Sequence, residues 1–255
     1  TRYKKRILCH RAMEPHNNFQ MRSRLIIMPD RRQHPFRNME EDLLLLYNNP
    51  FPDSVIFRHY GWEFPCWTCG YSQKFDFVQK TTGGNEKTIF RRATGGGIVP
   101  HIRDWTFSLV IGSQHPAFKN PPRKLYSQIH NVIVELLLSF DIPATLHDCK
   151  ADLASGAPAA ECFRSPVLSD VLHGSTKEKI AGAAIKKTRN GILLQGSVQK
   201  SPIPDIDWLV FNTGFNEALG EAILAEPQDS EWPFTAADIY PPYGEQIHHA
   251  GWFQN

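Results

Sequence analysis

The order of elements along this chain predicts an α+β fold, a mixed, largely antiparallel β-sheet core flanked by helices. Three observations carry it. Short apolar or alternating runs recur along the chain, and few helical stretches separate them. One broad apolar stripe at helical spacing runs from Leu125 to Phe140. The pair Asn190-Gly191 joins two extended runs in the manner of a β-hairpin, whose turn calls for positive φ at both residues.

Residues 1–37 are rich in Arg and Lys and weakly periodic, and read as a basic, solvated N-terminal extension before a domain spanning 38–255. A first helix is expected from Asn38, with Glu41 three residues on completing a capping box and Leu43 to Leu46 supplying its apolar face. Val55 to His59 and Phe64 to Cys69 read as strands, and Ile89 to Arg92 as a short one. In the strand Trp105 to Ile111, alternation puts Trp105, Phe107, Leu109 and Ile111 on one face. The main helix follows Pro121-Pro122 and ends before Pro143. Lys179 to Lys187 and Ile192 to Gln199 form the hairpin. A short helix is expected from Asn216 to Ala225.

Composition excludes several classes. Of 255 residues, 41% are hydrophobic and 21% charged, an ordinary globular balance. A net charge of +2 gives no argument for a nucleic-acid partner. No run of about 18 apolar residues exists, so no membrane span is predicted. The five cysteines (Cys9, Cys66, Cys69, Cys149 and Cys162) are odd in number and scattered, which fits reduced thiols and a cytoplasmic location. Cys66 and Cys69 have C-x-x-C spacing, but no partnered ligands accompany them, so they read as two small buried residues and no metal site is expected.

Two stretches carry chemistry. "RRATGGGIVPH", residues 91–101, places Gly95, Gly96 and Gly97 in a row. Such a turn serves positive φ, close backbone approach, or amides that meet an anion. It is neither a Walker loop nor a dinucleotide fingerprint, because no Gly-Lys-Ser/Thr follows and the glycine spacing differs. "KIAGAA" sets Lys179 beside small residues that clear space for a ligand, where an ammonium can hold a carboxylate or a developing oxyanion. Upstream lies Cys162, and a thiolate is a strong nucleophile.

Together these stretches resemble the cofactor-transferase family of biotin and lipoate protein ligases and octanoyltransferases. "RRATGGGIVPH" is similar to that family's Arg-Arg-x-Ser/Thr-Gly-Gly-Gly-x-Val-x-His motif. "KIAGAA" resembles its Lys-x-x-Gly-Ser/Ala-Ala motif, "GILLQGSV" the strand that follows, and "WEFPCWTCGYSQ" its earlier Trp…Gly-x-x-Gln element. The resemblance covers residues 38–225. It implies the catalytic-domain fold shared by biotin ligases and class II aminoacyl-tRNA synthetases. It also implies an enzyme that attaches a lipoyl or octanoyl group to one lysine of a lipoyl-acceptor protein, a dehydrogenase E2 or glycine-cleavage H-type domain. Carried over, Arg92, Thr94, Gly95, Gly96, Gly97, His101, Gln73, Gly182, Ala183 and Gly196 would bind the acyl substrate. Lys179 would hold the acyl carbonyl or the acyl phosphate.

Two routes share this scaffold. In the preferred one, an acyl thioester on an acyl carrier protein passes to Cys162 and then to the acceptor lysine, with no added cofactor. "CFRSP" resembles the segment that carries the transferase nucleophile. The stretch after residue 225 is also short for the extra domain that many lipoate ligases carry. In the alternative, ATP, Mg²⁺ and lipoate give lipoyl-AMP. Ser169-Asp170 resembles the ligases' Asn-Asp pair, and Asp170 would then serve the nucleotide and Mg²⁺. A non-catalytic acyl-binding or accessory protein is a remote alternative, opposed by the presence of both Lys179 and the full glycine loop. A biotin ligase ranks low because its Gly-Arg-Gly-Arg-x-Gly loop is absent.

Overall fold

The computed structural model describes residues 22–148 and 166–235. A nine-stranded mixed sheet forms the body. In chain order its strands are β1 (Ser23–Ile27), β2 (Arg31–Gln33), β3 (Val55–Trp62), β7 (Asp104–Gly112), β8 (Ala144–Leu146), β9 (Val171–His173), β10 (Lys179–Lys187), β11 (Gly191–Gln199) and β12 (Ala225–Asp229). Their order in space is β12-β1-β3-β7-β11-β10-β9-β8, with β2 pairing beside β3. A second sheet, of three strands in the order β5-β4-β6, is made of β4 (Cys66–Cys69), β5 (Ile89–Arg91) and β6 (Ile98–His101). The expected mixed, largely antiparallel α+β sheet is observed. The strands from β3 to β8 pair antiparallel, and the parallel pairs are at the β12-β1-β3 end and at β2.

Alternation gives the large sheet two buried faces. Trp105, Phe107, Leu109 and Ile111 pack with Leu125, Ile129 and Ile133 of α3 (Pro122–Ser139) and with Phe211 and Phe215 of α4 (Trp208–Ala222). Each such side chain contributes about 1.5–3 kcal/mol of burial. On the opposite face, Ile56, Val110 and Leu193 meet Leu43, Leu45 and Leu46 of α1 (Pro35–Tyr47). The small sheet, α2 (Phe75–Thr82) and a 3₁₀ turn (Pro116–Lys119) complete the described elements.

Several expectations are corrected. The helix α1 begins at Pro35, with His34 Nδ1 accepting from the N–H of Phe36 at 3.2 Å. Proline is pre-set for the first helical position, so the start moves ahead of Asn38. Asn38 instead donates to the Gly61 carbonyl at 2.9 Å, and Glu41 turns to the buried guanidinium of Arg58. The body therefore begins before residue 38. The strands β1 and β2 belong to the large sheet, because Leu25 and Ile26 have cores to enter.

The hairpin β10-β11 forms in the expected register, Lys187 opposite Ile192, but neither Asn190 nor Gly191 has positive φ. The turn is closed by Thr188, whose N–H donates to Gly191 O at 2.9 Å and whose hydroxyl accepts from Asn190 N at 3.2 Å. Gly191 is needed for close approach, since a Cβ there would lie 2.6 Å from Ile111 O. The last helix is longer and earlier than expected. Asp207 caps it by accepting from the N–H groups of Leu209 and Val210, and residues from Ala225 on form β12, parallel to β1.

Candidate functional site

A cavity of about 130 Å³ lies between the large sheet and the small one. Its floor is a cross-strand row, Gly182–Ser197–Thr106–Tyr60, one residue from each of β10, β11, β7 and β3. The next row on the same face is Ala184–Gln195–Ser108–Arg58. Arg92, Gly96, Gly97, His101, Lys179, Gly182, Ala183 and Gly196 all border the cavity, so most of the sequence-expected residues meet there. Thr94, Gly95 and Gln73 are absent from its lining. Cys162 lies outside the described residues.

One end is built around Lys179. Its ammonium lies 2.8 Å from Asp170 Oδ2, and both side chains are buried. Asp170 also accepts from Val167 N at 2.6 Å and, through Oδ1, from the Tyr126 hydroxyl. That hydroxyl accepts in turn from Ala183 N at 3.1 Å, beyond the end of β9, where no other described strand pairs with this edge of β10. The lysine stem runs over Gly182, where a Cβ would lie 2.7 Å from Lys179 Cε. His130 backs this corner, its Nδ1 2.6 Å from the carbonyl of Ser169. Burial dominates its titration and lowers its pKa to about 4, so the ring is neutral near pH 7 and Nδ1–H is the donor.

The glycine loop turns its carbonyls inward. Arg92 Nη2 donates to Gly95 O at 3.1 Å and Gly97 O at 2.9 Å. Gln73 Nε2 donates to Gly96 O at 3.3 Å, and Gly70 N to Gly97 O at 3.2 Å. No acceptor among the described residues meets the N–H of Gly95, Gly96 or Gly97. Backbone amides without a described acceptor are groups that can meet a negative atom. Gly96, at φ +88°, needs to be glycine. Gly70 is equally constrained, because a Cβ there would lie 2.0 Å from Gly96 O. Arg92 and Gln73 thus grip the loop. Gly196 faces the other way, where a Cβ would strike the Phe107 ring at 2.4 Å, and only its backbone borders the cavity.

Two polar networks brace these parts, and the sequence reading named neither. In the first, Thr94 Oγ1 donates to Gln195 Oε1 at 2.8 Å, and Gln195 Nε2 to Asp42 Oδ2 at 2.7 Å. Asp42 is further held by Ser108 Oγ at 2.6 Å and by the buried Arg58. In the second, Arg92 Nη1 donates to Thr68 Oγ1 at 2.7 Å, and Thr68 Oγ1 lies 2.8 Å from His101 Nε2. His101 Nδ1 lies 2.7 Å from Asp104 Oδ2, which also accepts from Thr106 at 2.6 Å and Ser197 at 2.8 Å. Burial alone would raise the Asp104 pKa, but the His101 imidazole beside it and these hydrogen bonds hold it below the usual carboxylate range. A carboxylate three residues after the motif histidine was the available signal for Asp104. Tyr126, Asp42 and Gln195 left none, because they reach the site from distant segments.

Cys66 and Cys69 are buried on the small sheet and unbridged. Burial pushes both thiols up, Cys69 to about 11, despite the nearby charges of Arg92 and Arg91. Among the described residues no group of three or more His, Cys, Asp or Glu could hold a metal ion. No helix there is long and apolar enough to cross a membrane.

Comparison with known proteins fits this geometry. Residues 34–202 match the sequence model of the lipoyl protein ligase A/B catalytic domain. The chain is 33% identical over 176 residues to octanoyltransferase LipM of Geobacillus kaustophilus, covering 64% of this chain and 61% of that protein. It is 32% identical over 171 residues to octanoyltransferase LipM of Anoxybacillus flavithermus, covering 62% and 58%. The match thus spans about three fifths of these relatives' own length. Among solved structures, lipoate-protein ligase A bound with ATP superposes with a TM-score of 0.64 at 16% identity, covering 89% of this chain and 94% of that one. The bipartite lipoate protein ligase of Thermoplasma acidophilum, studied with its E2 lipoyl domain, gives 0.62 at 16% identity, covering 89% and 92%. At such identities the likeness establishes the fold.

Proposed function

The chain belongs to the lipoyl protein ligase A/B catalytic-domain family, and from that premise we propose that it transfers an octanoyl or lipoyl group to a lysine of a lipoyl-acceptor domain. The observation that carries this is the meeting of a buried lysine, a strand bare of side chain at Gly182 and the glycine loop at one cavity. An acyl chain fits along the floor. The row from Gly182 to Tyr60 crosses three strand spacings, about 14 Å. An eight-carbon chain with its torsions in the trans wells extends about 9 Å. The carbonyl then lies at the Lys179 end and the tail toward Tyr60.

The preferred route uses two acyl transfers. The Cys162 thiolate attacks the carbonyl of a carrier-bound thioester, and the carrier thiolate leaves and takes a proton. The acceptor lysine, as the free amine, then attacks the acyl-cysteine. Cys162 leaves as thiolate, the new amide nitrogen loses its proton, and an octanoyl- or lipoyl-lysine results. In both steps negative charge develops on the carbonyl oxygen, where the Lys179 ammonium and the loop amides would stabilise it. The donor is an acyl carrier protein, and the acceptor a dehydrogenase E2 or glycine-cleavage H-type domain.

The ATP-dependent ligase route is favoured by one observation, the placement of Asp170 beside Lys179. Mg²⁺ would need that carboxylate as a ligand. Its Oδ1 accepts from Tyr126 and its Oδ2 meets Val167 N and Lys179, so a metal there would have to share Oδ1 or displace one of these partners.

Incubation with octanoyl carrier protein, followed by intact mass, tests the proposal. It expects one added octanoyl group, released by hydroxylamine and lost in Cys162→Ser. Lys179→Ala should abolish acylation of a lipoyl domain while the folded spectrum remains. Full activity of Cys162→Ser together with a strict need for ATP would overturn the transferase route in favour of the ligase.

A further inference from the structure

We propose that Asp104 and His101 are positioning residues, working through Thr68 to hold Arg92 on the glycine loop; the role in turnover rests on the acyl-transfer reading above. The chain of contacts is continuous. Asp104 Oδ2 meets His101 Nδ1 at 2.7 Å, His101 Nε2 meets Thr68 Oγ1 at 2.8 Å, and Thr68 Oγ1 meets Arg92 Nη1 at 2.7 Å. The same guanidinium ends on the carbonyls of Gly95 and Gly97.

The direction of each bond follows from what each group can do. Arginine only donates, so the Thr68 oxygen accepts from Arg92. The single hydroxyl proton of Thr68 is then available to His101 Nε2. That nitrogen accepts only when the ring carries its proton on Nδ1. Asp104 faces Nδ1 and selects this tautomer, as a carboxylate does wherever it orients an imidazole. Every bond then runs from cation to anion, and each polarises the next.

The two ends of this relay sit on different sheets. Asp104 is fixed by Thr106 and Ser197, which belong to the cavity floor. Thr68 is on β4 of the small sheet, and Arg92 follows β5. The relay therefore ties the glycine loop to the floor. If Thr68 loses its hydroxyl, the guanidinium loses one of its anchors and the loop carbonyls lose their fixed donor. The amides that face the developing oxyanion would then drift, while the apolar wall that holds the acyl tail stays in place. The cost should appear in kcat rather than in the KM for the acyl donor.

The test uses the full chain and three variants. Thr68→Val keeps the shape and removes the hydroxyl, Thr68→Ser keeps the hydroxyl, and Asp104→Asn removes the tautomer-setting charge. Nitrogen-15 NMR of the imidazole should show the Nδ1–H form in the native chain and a shift toward Nε2–H in Asp104→Asn. Thr68→Val should move the amide resonances of Gly95, Gly96 and Gly97. It should also lower kcat about tenfold or more with KM within about twofold, and Thr68→Ser should restore both. A native Nε2–H form, or loop amides unmoved by Thr68→Val, would overturn the relay. A loss confined to KM would show His101 to be a wall of the acyl site and overturn it as well. If the NMR results hold and no acyl donor is used, the relay stands and the acyl-transfer reading fails.

Discussion

Gly182→Ala is the smallest change that reaches the reacting end of the cavity. A Cβ at this position would lie 2.7 Å from Lys179 Cε, 2.8 Å from its Nζ and 3.1 Å from Asp170 Oδ1. The obstacle is the far end of a flexible side chain, so the lysine moves and the strand stays. Restoring ordinary contact at 3.4 Å requires a shift of about 0.7 Å. The 2.8 Å ion pair with Asp170 then opens to about 3.5 Å, beyond hydrogen-bond length. A charged hydrogen bond contributes about 1.5–3 kcal/mol. Lost from the transition state, that is about 10- to 150-fold in rate. The assay is octanoyl transfer to a purified lipoyl domain, with circular dichroism and a melting curve on the same samples. The fold should be retained and kcat/KM reduced by that factor. Wild-type turnover in Gly182→Ala, or lost turnover with the Lys179–Asp170 pair intact in its structure, would refute the reasoning.

The other predictions concern the supports. Gly70→Ala should destabilise the protein by more than about 2 kcal/mol in urea unfolding, because its Cβ would meet the rigid Gly96 carbonyl at 2.0 Å. His130 stays neutral when folded down to about pH 4, while the unfolded chain binds a proton below about 6.5. The unfolded state therefore holds more protons between these values, and stability falls as pH falls across that window, by about 3 kcal/mol in the limit. His130→Gln should flatten this part of the urea-midpoint profile against pH. Cys66 and Cys69 should resist iodoacetamide near neutral pH and react once the chain is unfolded, since burial leaves almost no thiolate on either.

What was legible in the sequence is what local chemistry dictates. The stripe from Leu125 to Leu137 could only be a helix lying on a core. Gly96 had to be glycine because the chain bends through positive φ there. Lys179 beside Gly182 announced a lysine with open space next to it. The parts that were missed depend on distant partners. The strand β12 has a proline at Pro227 and little apolar pattern, and it exists because β1 offers an edge two hundred residues earlier in the chain. Glu41 resembled a capping residue, but a buried arginine makes a stronger demand on carboxylates than a helix end does, and Arg58 takes both Glu41 and Asp42. Thr94 was read as a substrate contact. Its hydroxyl is instead spent on Gln195, a residue whose importance appears only once β11 lies beside the loop.

The charges around the cavity come in balanced sets, and this explains how so polar a wall can hold an alkyl chain. Lys179 is matched by Asp170, Arg92 is linked through Thr68 and His101 to Asp104, and Arg58 and Arg31 are matched by Asp42 and Glu41. Among the described residues each of these cations is thus linked to a carboxylate. Among the described residues, an uncharged acyl tail therefore meets no unpaired charge, whose burial would cost several kcal/mol. The balance changes only when the carbonyl oxygen takes up negative charge. That oxygen then has two sources of stabilisation within reach, an ammonium on a flexible stem and a loop whose amides meet no acceptor among the described residues. Both are held in readiness before the substrate arrives, so little reorganisation remains for the moment of reaction. On this argument Lys179→Arg should be a poor substitute. The planar guanidinium would make a bidentate pair with Asp170, larger than the space over Gly182 allows and less free to leave it for the oxyanion.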